Sequence, residues 1–79
     1  MKRQPRQNEV ANLISADGKV CFSIVERSDS FYEFYVDSLS FDQDEGISYW
    51  SQEGSPRTGI FEFIEDAERE IQSQFSKQF

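Results

Sequence analysis

The sequence contains no histidine and only one cysteine among its 79 residues. Without histidine, the commonest general base and metal ligand is missing, which excludes imidazole-based triads and histidine-ligated zinc sites. Cys21 cannot form an internal disulfide, and it has no CxxC partner that would activate its thiol. We therefore expect a protein that is not an enzyme and that has no cofactor and no metal site.

The chain also lacks a long apolar run, and no apolar stretch follows the charged residues 1–8 as it would in a leader peptide. With no cysteine framework either, these features favour a cytoplasmic protein that is neither secreted nor membrane-bound. A chain of 79 residues has room for a single small core, which leaves few positions for a deep active site.

Charge is unevenly distributed along the chain. The sequence has eight basic and fifteen acidic residues, a net charge of −7, and three of the basic residues lie within the first eight positions. No cation stands between Arg27 and Arg57, whereas seven carboxylates do. Such acidity either keeps a small protein soluble or attracts a basic protein partner. Because it repels phosphate backbones and anionic lipid, we expect no direct nucleic-acid or membrane binding.

The first eight residues differ in composition from the rest of the chain. They contain Pro5, several amide side chains and no apolar residue after Met1, so they have little to bury. We expect a disordered basic arm over residues 1–8, followed by a single α+β domain over residues 9–79.

Four β-prone runs follow the arm, at residues 10–14, 19–26, 31–41 and 47–52. Asp17-Gly18 predicts a tight hairpin turn between the first two runs, because glycine accepts the positive φ that such a turn needs. The acidic residues 42–46 close the third run. The longest connection, residues 53–59, contains two glycines and one proline.

In the last segment, the spacing between apolar residues changes from two to nearly four. Phe63, Ala67, Ile71 and Phe75 recur every four residues and predict an amphipathic helix of about four turns. Four strands followed by one helix predict an α+β fold, a four-stranded antiparallel β-meander with one C-terminal α-helix packed on one face (ββββα).

The third β-prone run alternates large apolar groups with carboxylates. If Tyr32, Phe34 and Val36 face the helix, the opposite sheet face is more aromatic than a solvated face requires. Aromatic anchors surrounded by charge are typical of protein interfaces. The candidate protein-binding residues are Phe31, Glu33, Tyr35, Asp37, Phe41, Asp42, Asp44, Glu45 and Trp50. The alternatives are a shifted register, or a sheet face covered by the N-terminal strand or by curling of the sheet.

Residues near the C-terminus carry a resemblance to known proteins. Tyr49-Trp50, a Gly/Pro loop, Gly59-Ile60-Phe61 and the helix Glu65-Asp66-Ala67-Glu68-Arg69-Glu70-Ile71 resemble the ending of many small bacterial and phage proteins, some of them immunity proteins or other small inhibitors. The resemblance covers about 23 residues. It implies an acidic, aromatic face that occludes a basic functional surface on a target protein.

These observations lead to two hypotheses of different classes. The first is a small acidic protein-binding module of the immunity or anti-defence type, which occludes a basic surface of a target such as a nucleic-acid-binding protein. In a sharper version, Glu33 and Asp37 mimic phosphates, because they would lie about 13 Å apart along one strand. The alternative is a homodimeric structural or accessory protein.

Overall fold

A computed structural model describes residues 3–79 of the chain. Four strands form one antiparallel sheet in the order β1-β2-β3-β4, with β1 at Glu9–Ile14, β2 at Val20–Glu26, β3 at Tyr32–Asp42 and β4 at Ile47–Gln52. Helix α1 follows at Ile64–Gln74, and a short 3-10 helix covers Ser76–Gln78. The predicted α+β meander with one C-terminal helix on the sheet is confirmed.

Tight turns join neighbouring strands because their residues accept the required backbone angles. Gly18 has φ +74° in the turn between β1 and β2, and Gly46 has φ +67° in the turn between β3 and β4. In the second turn, Asp42 Oδ1 accepts hydrogen bonds from the backbone N–H groups of Asp44 and Glu45. A short polar side chain that bonds backbone groups two and three residues on stabilises such a turn locally.

The core lies between the helix and one face of the sheet. Phe22, Ile24, Phe34 and Val36 from the sheet pack with Ala67 and Ile71, while the Phe75 ring centroid lies 4.8 Å from that of Phe22. Tyr32 also packs against this cluster, so Tyr32, Phe34 and Val36 face the helix, which is the condition on which the candidate sheet face depends.

The helix is shorter than the sequence pattern suggests. It has 11 residues, and Phe63 is its extended N-cap, with φ −128° and no capping side-chain hydrogen bond. Phe63 is 56 % exposed, so the predicted apolar stripe loses its first member. Just before the helix, Phe61 forms an antiparallel bridge with Tyr32 through two backbone hydrogen bonds, which keeps the chain extended there. Phe63 also has no side-chain group that could cap the first turn.

Residues 3–8, here called the N-terminal arm, lie on the sheet face opposite the helix. The sequence predicts a disordered arm over residues 1–8; residues 1 and 2 lie outside the described part of the chain. Over residues 3–8 that expectation stays a prediction; in the structure, Arg3 and Arg6 form ion pairs with the carboxylate of Asp37. The N-terminal strand does not cover this face, because β1 pairs with β2 at the edge of the same sheet; residues of the arm lie over Tyr35 and Asp37 instead.

Candidate functional site

The nine candidate residues do not form one surface but separate into three groups along β3. Phe31 and Phe41 lie near opposite ends of this strand, about 33 Å apart at ~3.3 Å per residue. The far-end group is Phe31 and Glu33, the central group is Tyr35 and Asp37, and the hairpin tip consists of Phe41, Asp42, Asp44, Glu45 and Trp50.

The hairpin tip is the accessible part of the candidate surface. Phe41 is 61 % exposed, and Asp44 and Glu45 are exposed in the turn that follows it. Asp42 is half-buried and uses its carboxylate to hold that turn. Trp50 is half-buried and pairs with Leu39 across the β3–β4 ladder, which places it on the same sheet face as Phe41. The tip therefore combines an exposed aromatic ring with two outward carboxylates.

The central group is covered by the arm. Asp37 is completely buried, and its two oxygens accept hydrogen bonds from different arginines, Oδ2 from Arg3 at 3.0 Å and Oδ1 from Arg6 at 2.6 Å. Arg3 also donates to Glu9 Oε2 at 2.7 Å, and the other Glu9 oxygen accepts from the Ser23 hydroxyl. We call Arg3, Arg6, Glu9 and Asp37 the arginine cluster. Because Asp37 is enclosed by this cluster, it is not part of the accessible surface.

Charges in the arginine cluster stabilise one another against the cost of burial. Burial by itself raises the pKa of Glu9, but hydrogen bonds from Arg3, Ser23 and the Arg6 backbone outweigh it and lower that pKa overall. Likewise, burial acts to lower the pKa of Arg3, but the hydrogen bond to Glu9 and the nearby negative charges raise it. Both groups are therefore held in their charged forms.

Arg6 makes the most varied contacts of the cluster. Its guanidinium carbon lies 3.9 Å from the centroid of the Tyr35 ring, in the geometry of a cation–π contact. Besides Asp37, the same group donates to the carbonyl oxygen of Glu53 at 2.8 Å, whereas its Nε–H is buried without an acceptor. An open groove of about 380 Å³ runs beside it, lined by Pro5, Arg6, Gln7, Val25, Tyr35 and Gln52.

The far-end group is partly neutralised. Arg27 lies 3.6 Å from the Glu33 carboxylate and 3.1 Å from that of Asp29. Phe31 is 41 % exposed, and its backbone N–H bonds Asp29. Glu33 therefore pairs with Arg27, and Asp37 with Arg3 and Arg6. Neither carboxylate is free for the phosphate mimicry expected of these two residues.

The candidate protein-binding residues taken from the sequence do not include Arg3, Arg6, Glu9 or Ser23. One signal could have found the arginines. Asp37 stands in the middle of a strand, between Val36 and Leu39, in a stretch from Arg27 to Arg57 that has no cation of its own. If such a carboxylate is buried, it needs a cation from a distant segment, and the basic N-terminus is one source.

Comparison with protein-family models, with curated proteins and with solved structures finds no match for this chain.

Within residues 3–79, no group of three or more Cys, Asp or Glu side chains is placed to hold a metal ion. Over the same residues, α1 and the 3-10 helix are both too short to cross a membrane.

Proposed function

We propose that this chain is a small, acidic, non-enzymatic protein-binding module that covers a basic surface of another protein with its hairpin tip. The observation that supports this proposal is the exposure of Phe41, at 61 %, next to the outward carboxylates of Asp44 and Glu45. A large exposed ring gains free energy when a partner removes it from water, and surrounding charges orient that partner.

The sign of the charge supports one kind of partner. Residues 28–56 contain no Lys or Arg, so the turn of the hairpin tip has no basic neighbour along the sequence. Complementary charge accelerates association and discriminates against acidic proteins, and its effect weakens as salt rises. The partner that fits is a protein with a Lys- or Arg-rich surface.

Within this class we propose an immunity or anti-defence type inhibitor, as the resemblance of residues 49–71 implies. A nucleic-acid-binding target has a basic surface of the required kind. If the inhibitor mimics nucleic acid, Asp44 and Glu45 carry the mimicry, because Glu33 and Asp37 are paired within the chain.

An affinity capture from the native host lysate, at low salt and at ~0.5 M salt, tests this proposal. We expect wild-type protein to retain a basic protein at low salt, and the variant F41A to lose it while keeping the circular dichroism spectrum of the wild type. Capture of the same protein by F41A would contradict the proposal. Recovery of only the chain's own copies would instead support the homodimeric alternative.

A further inference from the structure

We infer that the sheet face around Asp37 is an arginine-binding site, which the N-terminal arm occupies in the isolated chain and which an extended Arg-x-x-Arg segment of a partner protein enters by displacing the arm. This inference goes beyond the proposed function and does not depend on the hairpin tip. It assigns a second interaction surface and the chemistry of its occupant.

The contacts around Arg6 match the guanidinium group specifically. Tyr35 offers a ring face, Asp37 a carboxylate and Glu53 a carbonyl oxygen, all within reach of one planar cation. A guanidinium group stacks on a ring while it donates in its own plane, which the compact ammonium group of lysine cannot do. The site therefore selects arginine over lysine.

A second position accepts another arginine three residues away. Arg3 bridges Asp37 and Glu9 with separate nitrogens, at 3.0 and 2.7 Å. The Ser23 hydroxyl holds the other oxygen of Glu9. These groups come from β1, β2 and β3, so the sheet holds both acceptors in place whichever segment supplies the arginines.

The arm is attached mainly by side chains, which makes it exchangeable. Residues 3–6 have no regular secondary structure, and the Arg6 carbonyl accepts only a local hydrogen bond among the described residues, from the N–H of Glu9. The Gln4 carbonyl accepts from the Gln52 side chain, and at the base of the arm the Asn8 carbonyl accepts from the backbone N–H of Glu26 in β2. The fit is also incomplete, because the Arg6 Nε–H is buried without an acceptor. A segment that supplied the missing acceptor would bind better.

Because the arm is tethered to the sheet, a partner segment must bind the site strongly enough to compete with it. The arm is covalently attached and competes at a high effective concentration, so the wild-type site is mostly occupied. Removing both arginines of the arm empties the site without altering its acceptors. A free peptide then measures the site directly.

The test uses the full chain with the substitutions R3Q and R6Q and a fluorescent, end-blocked peptide of the arm's own sequence, Arg-Gln-Pro-Arg-Gln-Asn. A charge-matched peptide with lysine at both arginine positions is the control. We expect saturable binding of the arginine peptide to the R3Q/R6Q variant, binding at least about tenfold weaker to wild type, and no binding once D37N is added. The lysine peptide should bind at least about tenfold more weakly than the arginine peptide.

Four results would overturn the inference. The first is a folded R3Q/R6Q variant that does not bind the arginine peptide, and the second is equal binding by wild type and variant. The third is equal binding of the lysine peptide, which would show attraction by charge alone. The last is an R3Q/R6Q variant without the circular dichroism spectrum of a folded protein, because an exchangeable occupant cannot be required for folding.

Discussion

Arg6 donates a 2.6 Å hydrogen bond to Asp37, a residue 31 positions away that is completely buried in the third strand. This pair connects the basic N-terminus to the sheet face opposite the helix. The acidic residues therefore differ in their surroundings. Asp37 is paired with arginines of its own chain, whereas Asp44 and Glu45 at the hairpin tip face outward.

The substitution R6Q should destabilise the fold by about 1 to 3 kcal/mol, because it removes charged hydrogen bonds to a buried carboxylate. Arg57→Gln is the matched control, since the Arg57–Glu53 pair is exposed and contributes about 0 to 1 kcal/mol. Urea denaturation of wild type, R6Q and R57Q measures the change in the free energy of unfolding that each substitution causes. Equal losses for the two variants would contradict the importance given to the Arg6–Asp37 pair.

Cys21 should report on the position of the arm. It is completely buried and lies directly across from Asp37 in the β2–β3 ladder, and burial raises the pKa of its thiol to about 11. We therefore expect very slow alkylation of the native protein. In R3Q/R6Q, a loss of ~1.4 kcal/mol of arm contacts would increase the accessible fraction, and thus the labelling rate, about tenfold.

Mass spectrometry after timed exposure to iodoacetamide provides the rates for this comparison. The R57Q variant should label at the wild-type rate, because Arg57 is outside the arginine cluster. An unchanged labelling rate in R3Q/R6Q would show that the arm does not protect this face.

The substitution E9Q should make the free energy of unfolding fall less steeply as the pH becomes acidic. The pKa of Glu9 lies below its ordinary value of 4.5 in the folded chain, so the unfolded chain binds more protons as the pH falls. The contribution of Glu9 is present above pH 4.5 and is lost as pH falls through the folded pKa. Denaturation between neutral and acidic pH tests this, and parallel curves for wild type and E9Q would contradict it.

Phe41 and Phe34 should respond differently to replacement by alanine. Phe34 is completely buried, so F34A should cost about 3 to 5 kcal/mol. Phe41 is 61 % exposed, so F41A should change stability by no more than about 0.5 kcal/mol. Thermal or urea unfolding measures both. A large loss for F41A would place Phe41 in the core and remove it from the binding surface.

Local patterns in the sequence were sufficient to predict the fold, since Asp17-Gly18 and residues 42–46 indicate turns and the change of period indicates the helix. They were insufficient for the arginine cluster, because the pairing of Arg6 with Asp37 spans 31 residues and has no periodic signal. Similarly, strand alternation placed Tyr35, Asp37 and Phe41 on one face, yet it could not show that the arm covers the first two.

The charge of the hairpin tip is central to the proposed function, and a charge-matched capture tests it most directly. The variants D44K/E45K and E26K/E62K change net charge equally, but Glu26 and Glu62 are exposed at the opposite end of the sheet, near Tyr32. Each folded variant is immobilised beside wild type and exposed to the same host lysate at low salt. We predict that wild type and E26K/E62K retain the same basic protein and that D44K/E45K loses it. Equal retention by all three, or equal loss from both variants, would contradict the account.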